Sequence, residues 1–123
     1  MYELSVSRQF SAAHCLRDYD GACARLHGHN YRIVVTVAAE DLPQSGMVMD
    51  FKLLKAACDQ VVEALDHRCL NELPPFAEAN PTSENLARHI FEAVRDELAA
   101  QSVRVTSVAV WESDSSCATY KES

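Results

Sequence analysis

The chain has 123 residues with 11 Lys or Arg and 18 Asp or Glu, which gives a formal net charge of −7. This length allows one domain with its own hydrophobic core. The acidic balance argues against wrapping nucleic acid, because phosphate contacts need clustered Lys and Arg. No apolar run is long enough to span a bilayer, and the first residues alternate like a strand instead of forming a secretion signal. The prediction is therefore one cytoplasmic domain, residues 1–123, without nucleic acid or membrane partners.

The cysteines do not form a disulfide pattern. There are five of them, scattered along the chain without a Cys-x-x-Cys pair, so we predict free thiols in a reducing cytosol. Cys58 falls on the apolar face of a predicted helix, which indicates an inert thiol. Only Cys23 lies close to clustered histidines.

The first two predicted elements are strands. Alternate residues from Tyr2 to His14 are mostly apolar, and the segment from Asn30 to Val37 is rich in β-branched and aromatic residues. The loop from Cys15 to Leu26 would join these strands as an antiparallel pair.

Three histidines are predicted to meet where this loop joins the strands. His27 and His29 lie two residues apart, so they share one face of the second strand, and His14 at the end of the first would face them. Three imidazoles can bind zinc and leave its fourth position open. We therefore predict a zinc site, with Cys23 either as an acid/base group beside it or as a fourth ligand that closes it.

The middle of the chain predicts two helices. Asp50 resembles an N-cap, and the apolar residues behind it recur every three or four positions as far as Leu65. A loop is predicted for 70–80. The segment 80–84, Asn-Pro-Thr-Ser-Glu, marks the start of a second helix that runs to about Ala100.

Two further strands complete the predicted order ββααββ. The first runs from Val103 to Glu112, with a bulge near Thr106-Ser107 where the apolar parity changes, and a turn leads into a short strand from Cys117 to Tyr120. This order favours an α+β fold with a four-stranded antiparallel sheet and both helices on one face. Because its two edges are open, we expect such a sheet to pair with copies of itself.

The segments CARLHGHNY, GMVMDF, ALDHRCLN and NPTSEN, together with Glu112, extend over nearly the whole chain. In this order they resemble the 6-pyruvoyl-tetrahydropterin synthase family. The resemblance implies the tunnelling fold, in which ββααββ subunits join edge to edge into a β-barrel, usually as trimers that stack into hexamers. The three residues between Cys23 and His27 are the short spacing typical of the carboxytetrahydropterin branch, which serves queuosine and deazapurine biosynthesis.

The resemblance also implies roles for individual residues. Zinc would be bound by the histidines already singled out, His14, His27 and His29. Cys23 would be the general base, in a proton relay with Asp66 and His67 of an adjacent subunit.

For the substrate, the resemblance implies that Glu112 accepts two parallel N–H groups of the pterin ring. Residues at the start of the second helix would help to hold the ring or would simply cap the helix, namely Thr82, Ser83 and Glu84.

The implied reaction converts 7,8-dihydroneopterin triphosphate to 6-carboxy-5,6,7,8-tetrahydropterin and releases acetaldehyde and triphosphate, which makes the protein a carbon–carbon lyase. No nicotinamide is required, because the side chain is oxidised as the ring is reduced, and the chain has no Gly-rich dinucleotide motif. Two alternatives remain open. One is 6-pyruvoyl-tetrahydropterin synthesis without carbon–carbon cleavage, and the other is a non-catalytic zinc-stabilised pterin-binding protein.

Overall fold

The chain folds into two helices and one sheet, and the computed structural model describes residues 1–123. The helices and strands in chain order are β1 (Tyr2–His14), β2 (His27–Ala39), α1 (Phe51–Glu63), β3 (Arg68–Cys69), α2 (Ser83–Glu97), β4 (Arg104–Ser113) and β5 (Ser116–Lys121). Across the sheet the strand order is β3-β1-β2-β4-β5. The predicted α+β class is confirmed. Both helices are too short or too polar to traverse a lipid bilayer.

The predicted four-stranded antiparallel sheet is wrong in one respect. β3 adds a fifth strand, which runs parallel to β1 and pairs Ala12 with Arg68 and Ala13 with Cys69. A strand of two residues is too short to show alternation in the sequence. The four longer strands pair antiparallel, as predicted.

β1 and β2 form a long hairpin with unbroken register, from Tyr2 opposite Ala39 to His14 opposite His27. Alternate side chains of both strands are buried against the helices, because successive residues of a strand point to opposite faces. Arg8 interrupts the apolar face of β1. Its guanidinium forms a two-pronged ion pair with Asp59 of α1, at 2.8 and 3.0 Å.

Both helices begin at the predicted caps and bury one apolar stripe each. The Asp50 side chain accepts a hydrogen bond from the Lys52 amide at 2.8 Å, and Thr82 Oγ1 accepts one from the Asn85 amide at 3.1 Å. The stripes and the helix-facing side of the sheet form one core of 25 buried residues. Cys58 lies in this core, and burial raises the pKa of its thiol to about 11, which agrees with an inert cysteine.

The boundaries of α2 and of the preceding loop differ from the prediction. The helix ends at Glu97, three residues before Ala100, because Leu98 leaves the helical conformation with φ −99° and ψ 11°. Alanines favour helices, so the sequence did not mark this end. The predicted loop 70–80 contains two single 3-10 turns, Leu70–Glu72 and Pro74–Phe76.

Two bulges shape β4. The first confirms the prediction, because Ser107 pairs with Thr36 and Val105 with Val37, which leaves Thr106 as the extra residue. The second was not predicted. Its extra residue is Glu112, between the pairs that β4 makes with β5 at Trp111 and Ser113. Bulges often redirect a side chain near an active site, and this one carries the acid of the candidate site.

Candidate active site

The three predicted metal ligands converge at the loop end of the β1–β2 hairpin. His14 lies opposite His27, and His29 lies opposite Ala12, so the three rings extend from the same face of adjoining strands. One ring nitrogen of each histidine lies within 4.8 Å of one in each of the others. The predicted meeting of these side chains is confirmed.

Backbone carbonyls determine which nitrogen carries the proton in two of these rings. Nδ1 of His14 lies 2.7 Å from the Pro81 oxygen, and Nδ1 of His27 lies 2.7 Å from the Arg25 oxygen. Because a carbonyl can only accept a hydrogen bond, Nδ1 is the donor in each neutral ring and Nε2 keeps a lone pair. The two Nε2 atoms lie 3.0 Å apart, so their lone pairs repel each other unless a cation lies between them.

His29 is the third member of the predicted ligand set. Its Nε2 atom is buried and makes no hydrogen bond. Burial lowers the pKa of His29; Glu112 opposes this shift, and His14 and His27 add to it. Three convergent imidazoles, two of them with Nε2 turned towards the other by the hydrogen bond at Nδ1, suit zinc and related divalent metals, so the residues present fit such an ion.

A cavity of about 330 Å³ lies between the β1–β2 loop and the start of α2. It is lined by all four predicted substrate residues, Thr82, Ser83, Glu84 and Glu112. Glu112 also borders the histidines, with Oε1 3.3 Å from His29 Nε2 and 3.7 Å from His14 Nε2. The structure therefore brings the four predicted substrate residues together beside the histidine cluster.

Cys23 lies outside this cluster. It is exposed on the 3-10 turn Ala22–Ala24 of the β1–β2 loop, and the grouped ligand atoms belong to the histidines alone. A hydrogen bond of 2.9 Å from the Leu16 amide to the Cys23 carbonyl holds the two sides of the loop together.

Asp66 and His67 form a pair at the edge of β1. The Asp66 carboxylate lies 2.9 Å from His67 Nδ1 and accepts a 2.9 Å hydrogen bond from the Ser11 amide. The His67 side chain is 81% exposed, beside a surface cavity that Ser11, Gly28 and Asn30 also line. The structure thus pairs Asp66 with His67, and the polar partners of the Asp66 carboxylate are Ser11 and His67.

Asp66 is expected to stabilise the folded chain at neutral pH and to lose this effect in acid. Hydrogen bonds from the Ser11 amide and from His67 lower the pKa of Asp66. A lowered carboxyl pKa adds stability above the unfolded value of about 3.9, and this stability is lost as the pH falls through the folded value. Urea unfolding of Asp66→Asn should show a deficit relative to the unmodified protein at pH 6 that shrinks by about pH 3.

The exposed acid Glu97 supplies the control for this measurement. Glu97→Gln should show a small difference from the unmodified protein at both pH values, because an isolated surface charge contributes little. A deficit of Asp66→Asn that is the same at both pH values would contradict the assignment of its hydrogen bonds.

Several groups that shape the site were not predicted. The Arg25 and Pro81 carbonyls orient histidines, but backbone groups leave no side-chain signal in a sequence. Tyr31 places its hydroxyl 3.3 Å from His14 Nδ1, and its shared parity with His29 could have revealed it. Asn71 and Asn80 bind the backbone of the β1–β2 loop. Both occur in the segments that carry the family resemblance, but nothing in those segments indicated this contact.

The fold and the site together define an α+β protein with a three-histidine cluster that could hold a metal ion, beside a surface cavity of about 330 Å³. A family model described as 6-pyruvoyl tetrahydropterin synthase matches residues 3–123. The chain belongs to this family, whose enzymes convert pterins.

Individual relatives carry different activity names. The chain is 41% identical over 116 residues to 6-carboxy-5,6,7,8-tetrahydropterin synthase of Synechocystis, covering 90% of this chain and 86% of the relative. It is 39% identical over 103 residues to dihydroneopterin monophosphate aldolase of Pyrococcus furiosus, covering 84% and 82%. The structure of Caenorhabditis elegans 6-pyruvoyl tetrahydropterin synthase matches with a TM-score of 0.88 at 32% identity, covering 99% and 96%.

Proposed function

We propose that this protein converts 7,8-dihydroneopterin triphosphate and water to 6-carboxy-5,6,7,8-tetrahydropterin, acetaldehyde and triphosphate, as a zinc-dependent lyase of queuosine or deazapurine biosynthesis. The observation that carries the proposal is the contact between the histidine cluster and the cavity at Glu112. The similarity to the Synechocystis enzyme named for this product supports it.

The histidine cluster suits a catalytic rather than a closed structural zinc site. Three protein ligands leave a coordination position for water or substrate, and Cys23 is not among the grouped ligand atoms. When bound, zinc supplies Lewis-acid polarisation of the hydroxylated side chain of the substrate. The electrons balance within the substrate, because the side chain loses the two electrons that the dihydropterin ring gains.

Glu112 is the proposed anchor for the pterin ring. A carboxylate accepts two parallel N–H donors well, and the cavity of about 330 Å³ falls in the size range of small-molecule sites. The free amides of the first turn of α2 offer further donors at Ser83 and Glu84. Since Glu112 also borders His29, a ring held by this carboxylate extends its side chain close to the histidines.

Cys23 is the proposed general base, and Asp66 and His67 of an adjacent subunit complete the relay. The Asp66 carboxylate, 2.9 Å from His67 Nδ1, stabilises a charged imidazole and leaves Nε2 free to exchange a proton. The exposure of Cys23 and His67 supports a relay that forms between chains.

The open edges of the sheet support this assembly. β5 pairs only with β4, and β1 has a partner on its outer side only at Ala12 and Ala13. Edge-to-edge pairing of subunits into a barrel would satisfy the free backbone groups along both edges. We propose trimers that stack into hexamers, which light scattering of the purified protein can test.

Incubation of the zinc-loaded protein with 7,8-dihydroneopterin triphosphate is expected to release one acetaldehyde for each 6-carboxytetrahydropterin formed. Derivatisation of the aldehyde and mass spectrometry of the pterin measure the two products. The His27→Ala variant, which lacks one proposed metal ligand, is the matched control for spontaneous breakdown of the substrate.

The products separate the alternatives. A pyruvoyl pterin without acetaldehyde would indicate 6-pyruvoyl-tetrahydropterin synthesis. A phosphorylated two-carbon aldehyde would indicate aldolase cleavage, which the similarity to the Pyrococcus protein makes worth measuring. Substrate that stays bound to the protein and is recovered unchanged after the incubation would indicate a binding protein. Each of these three results would refute the proposed reaction.

A further inference from the structure

Two asparagine side chains bind the backbone of the loop that follows β1. Asn71 accepts from the Cys15 amide and donates to the Cys15 carbonyl, both at 2.9 Å. Asn80 accepts from the Arg17 amide at 2.9 Å and donates to the Arg17 carbonyl at 3.0 Å. Each carboxamide thus satisfies both backbone groups of one loop residue, as a neighbouring strand would.

The loop also binds the segment that carries these asparagines. The Arg17 guanidinium donates to the Phe76 carbonyl at 2.7 Å and to the Ala79 carbonyl at 3.3 Å. The loop residues that follow Leu16 form one wall of the candidate substrate cavity, and Glu112 is part of the lining of the same cavity. The position of this wall therefore depends on contacts with the segment 71–80.

Asn80 is also joined to the candidate metal centre. The next residue is Pro81, whose carbonyl accepts the 2.7 Å hydrogen bond from His14 Nδ1. Thr82 then caps α2 through its hydrogen bond with the Asn85 amide. One turn of three residues thus holds the cavity wall, orients a metal ligand and begins the helix that borders the cavity.

We infer that Asn71 and Asn80 are positioning residues. They hold the cavity wall, and they keep in place the Pro81 carbonyl that accepts the hydrogen bond from His14. The identity of the ligand in the cavity is taken from the proposed function. The part of the inference that concerns the metal rests on the histidine cluster alone. Loss of either carboxamide leaves two half-buried backbone groups without their side-chain partners and releases the loop.

The test measures metal and pterin binding separately from turnover. Asn80→Ala is expected to weaken zinc binding and the binding of oxidised neopterin by about 10-fold each, within the range found for groups that orient metal ligands. Competition with a chelating dye measures zinc, and pterin fluorescence measures neopterin. Asn71→Ala should weaken both in the same direction and replaces Asn80→Ala if that variant does not fold.

Asp59→Ala is the matched control, because it removes the ion pair between β1 and α1 that involves no cavity or histidine residue. It should lower thermal stability and leave both affinities within twofold of the unmodified protein. Affinities of the asparagine variants within twofold of the unmodified protein would overturn the inference, and so would equal losses in Asp59→Ala. If the unmodified protein binds zinc but no pterin, the proposed function fails, and the zinc affinities alone decide the inference.

Discussion

Replacement of His27 by alanine is expected to remove tight zinc binding and with it the turnover of the substrate. Two ligands remain in place of three, so the loss should exceed the roughly 10–100-fold cost of removing an outer partner of a metal ligand. Zinc content after dialysis against a chelator measures this directly. Zinc should raise the unfolding temperature of the unmodified protein, because a ligand that binds only the folded state stabilises it, and should not raise that of the variant.

Thermal unfolding of the two proteins without metal should give the opposite result. Without zinc, His27→Ala should unfold at no lower temperature than the unmodified protein, because it removes one of two lone pairs that face each other across 3.0 Å. The control is His89→Ala, which removes a histidine that packs on Phe76 away from the cluster and should retain zinc. A full equivalent of zinc in His27→Ala would show that the three-histidine centre is wrong.

Cys23→Ala is expected to keep its fold and its zinc but to lose about 10²–10⁴-fold in turnover, the usual contribution of a general acid or base. The variant should keep its zinc because the thiol lies on the exposed loop turn and outside the grouped ligand atoms. Steady-state kinetics and zinc content of the same sample separate the two roles. Cys117→Ala, which removes the other exposed cysteine, should retain full activity.

Two results would contradict this assignment. Loss of zinc from Cys23→Ala would make the cysteine a fourth ligand and support the non-catalytic binding protein. Undiminished turnover would remove Cys23 from the chemistry altogether. Mixed assemblies of Cys23→Ala with His67→Ala should recover part of the activity, because some sites then combine an intact thiol with an intact relay from a neighbouring chain.

The convergence of the three histidines could be predicted from sequence because strand geometry is local. Parity alone placed His27 and His29 on one face, and the short loop placed His14 opposite them; the register of the hairpin confirms both expectations. The caps at Asp50 and Thr82 were equally predictable, since each depends on residues within one turn of the helix.

Features that depend on contacts between distant segments could not be predicted. β3 is defined only by its pairing with β1, and the bulge at Glu112 only by the register between β4 and β5. Asn71 and Asn80 have no periodic pattern, because their partners are backbone groups more than 50 residues away. The proposed relay between Cys23 and the pair Asp66 and His67 would form only between chains of an assembly, and such a contact leaves no local pattern in one sequence.

The hairpin register has a consequence for how such enzymes diversify. All three histidines of the proposed metal site lie on two paired strand ends, so the loop between these strands can change in length and sequence without moving the histidines. If the histidines bind zinc as proposed, changes in this loop can alter the reaction at the substrate while the metal site is kept. Transplanting this segment between relatives should exchange their products and leave the affinity for zinc intact.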